Sequence, residues 1–155
     1  QNGIRVGVTG ITRAGMGFVA TPQYEVSDPA THAIEVLQAL SETADILILL
    51  VYEARDAVEA IATAVPQLDI VIDTRMHREF NPPIQVGDAV LTYAHYQTQR
   101  IGELRLAVDG DRVRVLIDRK IDLDPEVPDD PKLMEVLLSA RTEVEQVQEE
   151  LFGGP

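Results

Sequence analysis

The chain has 155 residues, 45% of them hydrophobic, which is enough for one domain with a real core and too many for a disordered chain. Its formal net charge of −13 argues against nucleic acid and anionic membrane surfaces, which need a basic footprint, and fits a hydrated surface or a basic partner. Cysteine is absent, which excludes disulfides, thiolate metal sites, Cys nucleophiles and covalent c-type haem attachment on this chain. No apolar run reaches the roughly 18 residues that cross a bilayer, so no membrane insertion is expected. No signal peptide is visible and Gln1 is not an initiator methionine, so the expected start is one made by processing or truncation.

Ile4 to Ile11 is an apolar run broken by glycines and reads as a buried strand. Thr12 to Ser27 has no clear period and reads as a long loop. Ser27-Asp28-Pro29 starts a helix, with a capping oxygen followed by proline, and Ala33, Val36, Leu37 and Leu40 form its apolar face. Asp45 to Val51 is continuously aliphatic, which predicts a strand covered on both sides. Glu53 to Val65 reads as a second helix and Leu68 to Ile72 as a third strand. The order βαβαβ implies parallel strands joined by right-handed crossovers.

After Pro82-Pro83 the pattern changes. Ile84-Gln85-Val86 and Ala89 to Tyr93 flank the turn Gly87-Asp88. Ile101 to Val108 and Val113 to Ile117 flank Asp109-Gly110-Asp111. This half is expected to be antiparallel. Asp122 to Asp130 is an acidic linker, and Asp130-Pro131 opens a last helix. Its residues Leu133, Leu137, Ala140, Val144, Val147 and Leu151 make one stripe. That stripe either lies on the body of the domain or docks on another chain. The expected fold class is α/β: a layered mixed sheet, βαβαβ followed by antiparallel strands and a C-terminal helix. The expected divisions are a half-domain over 1–121, a linker over 122–130 and an amphipathic helix over 131–152.

Taken alone, most chemistry-bearing residues are ambiguous. His32 reads as a partly exposed helix residue. Gly7, Gly10, Gly15 and Gly17 match neither dinucleotide nor P-loop spacing. The acids Asp122, Asp124, Glu126, Asp129 and Asp130 lack the glycine and terminal glutamate of an EF-hand. Thr9, Thr12 and Thr21 have no base at a readable spacing. The alternation of a strand places Tyr93 and His95 on one face and Tyr96 on the other.

Leu68-Asp69-Ile70-Val71-Ile72-Asp73-Thr74-Arg75-Met76-His77 carries a more specific signal. It resembles the strand-loop of 5′-nucleotidase-type, calcineurin-like metallophosphoesterases, where the strand runs into Gly-Gly-His-x-His and both histidines bind metal. Asn2 to Thr12 resembles the strand that opens the second half of that catalytic domain. Asp28 to Leu40 is similar to the next helix, and Ala44 to Tyr52 to the strand that ends in Leu-Ser-His. Pro82 to Leu106 resembles the family's Pro-x-x-x-Gly-Asp hairpin and the strand beyond it. Val127 to Pro131 resembles the exit from the catalytic domain. The order and spacing agree along nearly the whole chain.

The resemblance implies a domain that uses two divalent metal ions to activate water and clamp a phosphate. The ligands do not follow. Tyr52 stands at the first expected histidine and Arg75 at the second, and only His77 remains. Asp73 and Thr74 replace the two glycines, and His95 and Thr98 stand where the family tends to have glycine. Arginine stays protonated and has no lone pair for a metal. The family's Asp-x-His, Gly-Asp and Gly-Asn-His-Glu motifs belong to its first half and do not occur here. Tyr52, Arg75 and His77 are therefore expected to be vestigial metal positions, with no catalytic residue and no cofactor on this chain. Asp73, Arg75, His77, Arg78 and His95 are the candidate binding residues, with Arg75 and Arg78 as a candidate anion clamp.

The expected function is a non-catalytic structural or interaction module. Its partner would be another polypeptide covering the missing-half face, either the N-terminal half or, as in some relatives, a multihaem cytochrome. The alternative is a phosphoesterase whose other ligands come from a companion chain. The resemblance implies a periplasmic or extracellular location.

Overall fold

The computed structural model describes residues 3–13, 27–75, 83–93, 99–110 and 112–153. The chain divides into two units, Gln1–Asp122 and Leu123–Pro155.

In the first unit, β1 (Val6–Thr12), β2 (Ile46–Tyr52), β3 (Ile70–Asp73) and β5 (Ala89–Tyr93) run parallel, and the short β4 (Ile84–Val86) pairs antiparallel with β5. The sheet order is β1-β2-β3-β5-β4. Helices α1 (Pro29–Ser41) and α2 (Arg55–Ala64) form the crossovers β1→β2 and β2→β3. Asp28 caps α1, accepting from the Thr31 N–H at 2.9 Å, and Pro29 takes a first-turn position where its missing N–H costs nothing. The helices bury Ala33, Leu37, Val58 and Ile61 against Leu47, Leu49, Val51, Val71 and Leu91 of the sheet.

One glycine positions that layer. A Cβ on Gly7 would lie 3.0 Å from both Ala44 Cβ and Leu47 Cδ2. Glycine there lets the end of α1 close onto β1.

Two expectations differ from the structure. The segment after Pro83 is not wholly antiparallel. β4 and β5 do form the expected hairpin, with Gly87 at φ 58°, but β5 continues the parallel sheet through Ile70↔Val90 to Asp73↔Tyr93. A hairpin signal reports only the local partner, whereas β5 also has a distant one. Nor is β2 covered on both sides along its whole length. Its helix-facing residues are buried, but on the other face Ile46 is buried and Ile48 half-buried while Leu50 and Tyr52 are exposed.

A separate two-stranded sheet, β6 (Arg100–Asp109) and β7 (Arg112–Asp122), completes this unit. The turn uses Gly110 at φ 59°. Pairing shifts between Arg105 and Leu106, so that Arg105 faces Ile117, Leu106 faces Val115, and Leu116 is the extra, bulged residue. The bulge turns Ile117 outward and brings Asp118 and Lys120 to the half-buried side with Val113 and Val115.

In the second unit, α3 (Pro131–Phe152) starts at Asp130, whose carboxylate accepts from the Lys132 N–H at 2.8 Å, and stops at Gly153, φ 54°. No residue of α3 is buried, and the Leu133-to-Leu151 stripe lies among its exposed positions. Among the described residues no helix is long and apolar enough to cross a membrane.

Candidate functional site

Because four strands run in one direction, their carboxyl ends meet along one edge. Register places Thr12 beside Tyr52, Val51 beside Asp73, and Asp73 beside Tyr93. In α/β sheets this is the edge where ligands bind.

Asp73 is buried on the helix-covered face of the sheet and still carries a carboxylate. A carboxylate buried there needs donors. Among the described residues, Arg75 supplies three: its backbone N–H at 2.8 Å and its Nε at 3.4 Å to Oδ1, and its Nη2 at 3.1 Å to Oδ2. The preceding residue pins the loop, with the Thr74 N–H and hydroxyl both donating to the Val51 carbonyl at 2.8 and 3.0 Å. The guanidinium is thus folded back onto the strand that carries it.

Tyr52 belongs to the opposite, open face and is exposed. Its carbonyl accepts from the Arg13 N–H at 2.8 Å. Tyr52 and Arg75 therefore sit at neighbouring strand ends, with the phenol on one face and the ion pair on the other. His77, Arg78 and His95 lie outside the described residues, as do Gly15, Gly17, Thr21, Tyr96 and Thr98 and most of the Thr12-to-Ser27 loop. Among the described residues, no three His, Asp or Glu side chains group as metal ligands would.

One cluster at this edge was not legible from spacing. The Thr92 hydroxyl donates to Asp118 Oδ2 at 2.9 Å, and Lys120 Nζ reaches the same hydroxyl at 3.2 Å while pairing with Asp118. Lys120 Nζ also stands 4.7 Å from the centre of the Tyr93 ring, a cation–π distance. Asp118 and Lys120 are both largely buried, with side-chain exposures of 6% and 12%. The group ties the β6–β7 hairpin to β5. Its sequence signal, an Asp-x-Lys after alternating valines, becomes inward-facing only through the bulge at Leu116.

The amino ends of the strands are separately built. Asp45 is held down to about 2 by Arg5, first through the guanidinium hydrogen bond at 2.9 Å and then through the Arg5 backbone N–H at 2.8 Å. Burial raises Asp69 above its ordinary value, opposed by the Leu47 N–H that donates to Oδ2 at 2.8 Å. An open cleft of about 860 Å³ lies at this end, lined by Asp45, Asp69, Asp88, Arg112 and Arg114 among others. It is remote along the strands from Arg75 and Tyr52, and its mixed charges mark no single ligand.

Neither the protein-family models nor the curated proteins contain a match to this chain. Solved structures do. The sulfate thiohydrolase SoxB of Thermus thermophilus, in complex with glycerol, superposes with a TM-score of 0.68 at 17% identity, over 94% of this chain and 28% of that one. A candidate 5′-nucleotidase from Staphylococcus aureus, in complex with α-ketoglutarate, gives a TM-score of 0.54 at 17% identity, over 92% of this chain and 32% of that one. The chain therefore spans less than a third of the length of either. The likeness shows the fold: half of a calcineurin-like metallophosphoesterase sandwich.

Proposed function

We propose that this chain is a non-catalytic, degenerate metallophosphoesterase-like module that serves as a structural or protein-interaction subunit in an extracytoplasmic complex. The reading draws on the fold likeness and above all on one observation. At the end of β3, where the resembled family places a metal-binding histidine, the Arg75 guanidinium closes on the buried Asp73 carboxylate. A fixed cation already satisfies the buried acid, which supports a strand end that works without metal. Tyr52, at the end of the neighbouring strand, offers a phenol in place of an imidazole, and a neutral phenol is a poor metal ligand at neutral pH.

Calorimetric titration of the chain with Mn²⁺ and Zn²⁺, together with a phosphomonoester hydrolysis assay, tests this. The expected result is no stoichiometric binding of two ions and no turnover. Two tightly bound equivalents per chain would overturn it. The alternative is a metal-dependent phosphoesterase completed by a companion polypeptide, which draws on the short span relative to the matched chains. Mass spectrometry of the intact native particle separates the two: a companion carrying Asp-x-His and Asn-His-Glu motifs, in a particle that binds two metal ions, favours the enzyme.

A further inference from the structure

We infer that α3 of one chain lies along the outward face of the β6–β7 hairpin of a second copy, the exchange running both ways. The inference goes beyond the interaction-module reading and does not depend on it, since a catalytic chain could carry the same contact.

The hairpin has two unlike faces. Asp118 and Lys120 belong to the half-buried one. On the outward one, register sets Ile101 opposite Ile121 and Arg105 opposite Ile117, with Arg114 and Arg112 nearer the turn. Ile101 and Ile121 are 53% and 40% exposed, and the bulged Leu116 beside them 55%. Arg105 and Arg119 share the carboxylate of Glu103, and Arg112 and Arg114 have no ion pair among the described residues. Residues 100–122 carry six of the chain's 13 lysines and arginines against five acids, a net positive ribbon in a chain of net charge −13. Helix α3 is the converse. Its stripe residues Leu133, Leu137, Val144, Val147 and Leu151 are 45% to 69% exposed. Residues 123–155 carry nine acids against two bases. Apolar residues crowd the first half of the helix, where Val136 and Leu138 flank the stripe, and glutamates crowd the second, at Glu143, Glu145, Glu149 and Glu150. Each surface stands uncovered in the single chain, so its cover is supplied from outside it.

The two surfaces match in size and in charge order. A helix of 22 residues is about 33 Å long and about 10 Å across. A ribbon of two strands of 10 and 11 residues is about 35 Å long and about 10 Å wide. With Leu133 over Ile101, the helical rise carries Glu143 about 15 Å and Glu150 about 26 Å along. The strand rise carries Arg105 about 14 Å, and Arg112, which pairs with Asp109, about 27 Å. The apolar half of the helix thus falls on Ile101, Ile121 and Ile117, and Glu143 and Glu150 each meet an arginine. Exchanged both ways, four surfaces of roughly 33 by 10 Å come to about 1,300 Å², the size of a specific interface, and a reciprocal contact closes at two copies. Two copies of α3 zipped together gain no such pairing. The positions beside the stripe are Val136, Glu143 and Glu150 on one side and Met134, Arg141 and Gln148 on the other, and a parallel pair sets Glu143 opposite Gln148.

Sedimentation velocity of the full chain over a concentration series tests this, with a monomer–dimer equilibrium expected. Leu137→Asp in α3 and Ile121→Asp in the hairpin, both at exposed positions, should each raise the dimer Kd at least tenfold while circular dichroism holds. Mixed together, these two variants retain one intact helix–hairpin contact and should associate at least tenfold more tightly than either alone. Glu150→Arg and Arg112→Glu should each weaken the dimer, and their combination in one chain should restore it. The photo-crosslinker p-benzoylphenylalanine at Ile117, in a mixture of ¹⁴N and ¹⁵N chains, should mark Ala140 to Val144 in products that carry both isotopes. A chain that stays monomeric at every concentration overturns the proposal. So does a dimer that Ile121→Asp leaves intact, the mark of paired α3 helices, and so do crosslinks confined to a single isotope, the mark of a helix folded back on its own hairpin.

Discussion

Asp73 shows how one side chain converts an acidic strand end into a neutral one. Arg75→Ala keeps the backbone N–H bond but leaves the buried carboxylate without its guanidinium. A cost of about 1–3 kcal/mol in denaturant unfolding is expected, with Arg75→Lys intermediate because a single ammonium cannot bridge both oxygens. Asp69 poses the opposite case, an acid that burial opposes. Its folded pKa is raised, so its ionisation weakens the fold above that pKa, and stability returns as pH falls through it toward the unfolded value. Asp69→Asn keeps an acceptor for the Leu47 N–H and should be neutral or stabilising at pH 7. Asp69→Ala, which orphans that N–H, should cost about 1–2 kcal/mol. Asp45 has the other sign. Its pKa is lowered to about 2 by Arg5, so the stability it adds is present above about pH 4 and is lost as pH falls toward 2. Arg5→Ala should flatten the acid limb of a stability–pH curve in that window.

At the scale of elements, the hairpin and the sheet are joined by the Thr92–Asp118–Lys120 group. Removing one member strands another: Lys120→Ala leaves the largely buried Asp118 without its cation and should cost about 2–4 kcal/mol. Hydrogen exchange should then quicken in β6 and β7 before it does in β2. A Lys120→Met, Asp118→Leu pair should cost clearly less than the sum of the single changes, the mark of a coupled buried pair. Glu103 is held below the usual carboxylate range by Arg105 and then Arg119, but these contacts are solvent-screened and steer the hairpin surface more than they hold the fold.

For the whole molecule, the sheet's helix-covered face is finished, while the other face is exposed along β1 and at the end of β2, and neighbours along β2 report the difference. Leu49 is fully buried under the helices, whereas Leu50 is 40% exposed on the other side. Leu49→Ala should cost about 3 kcal/mol and Leu50→Ala less than about 1 kcal/mol in the isolated chain. A Leu50 variant as costly as Leu49 in the isolated chain would mean that the face is already closed.

Local chemistry alone sufficed for much of this protein. Asp28-Pro29 and Asp130-Pro131 announce two helices, Gly87 and Gly110 mark two turns, and the aliphatic runs of β2 and β3 announce buried parallel strands, because caps, positive φ and burial are decided within a few residues. The chemistry of Arg75 is equally legible, since an arginine's lack of a lone pair needs no coordinates. Non-local pairing was not. Only the fold could say that β5 joins β3, that the second face of β2 is exposed at Leu50 and Tyr52, that the Leu116 bulge turns Asp118 and Lys120 inward, and that Arg75 closes on Asp73. Each depends on which strand lies beside which and in what register, and one residue of slip exchanges the two faces of a strand.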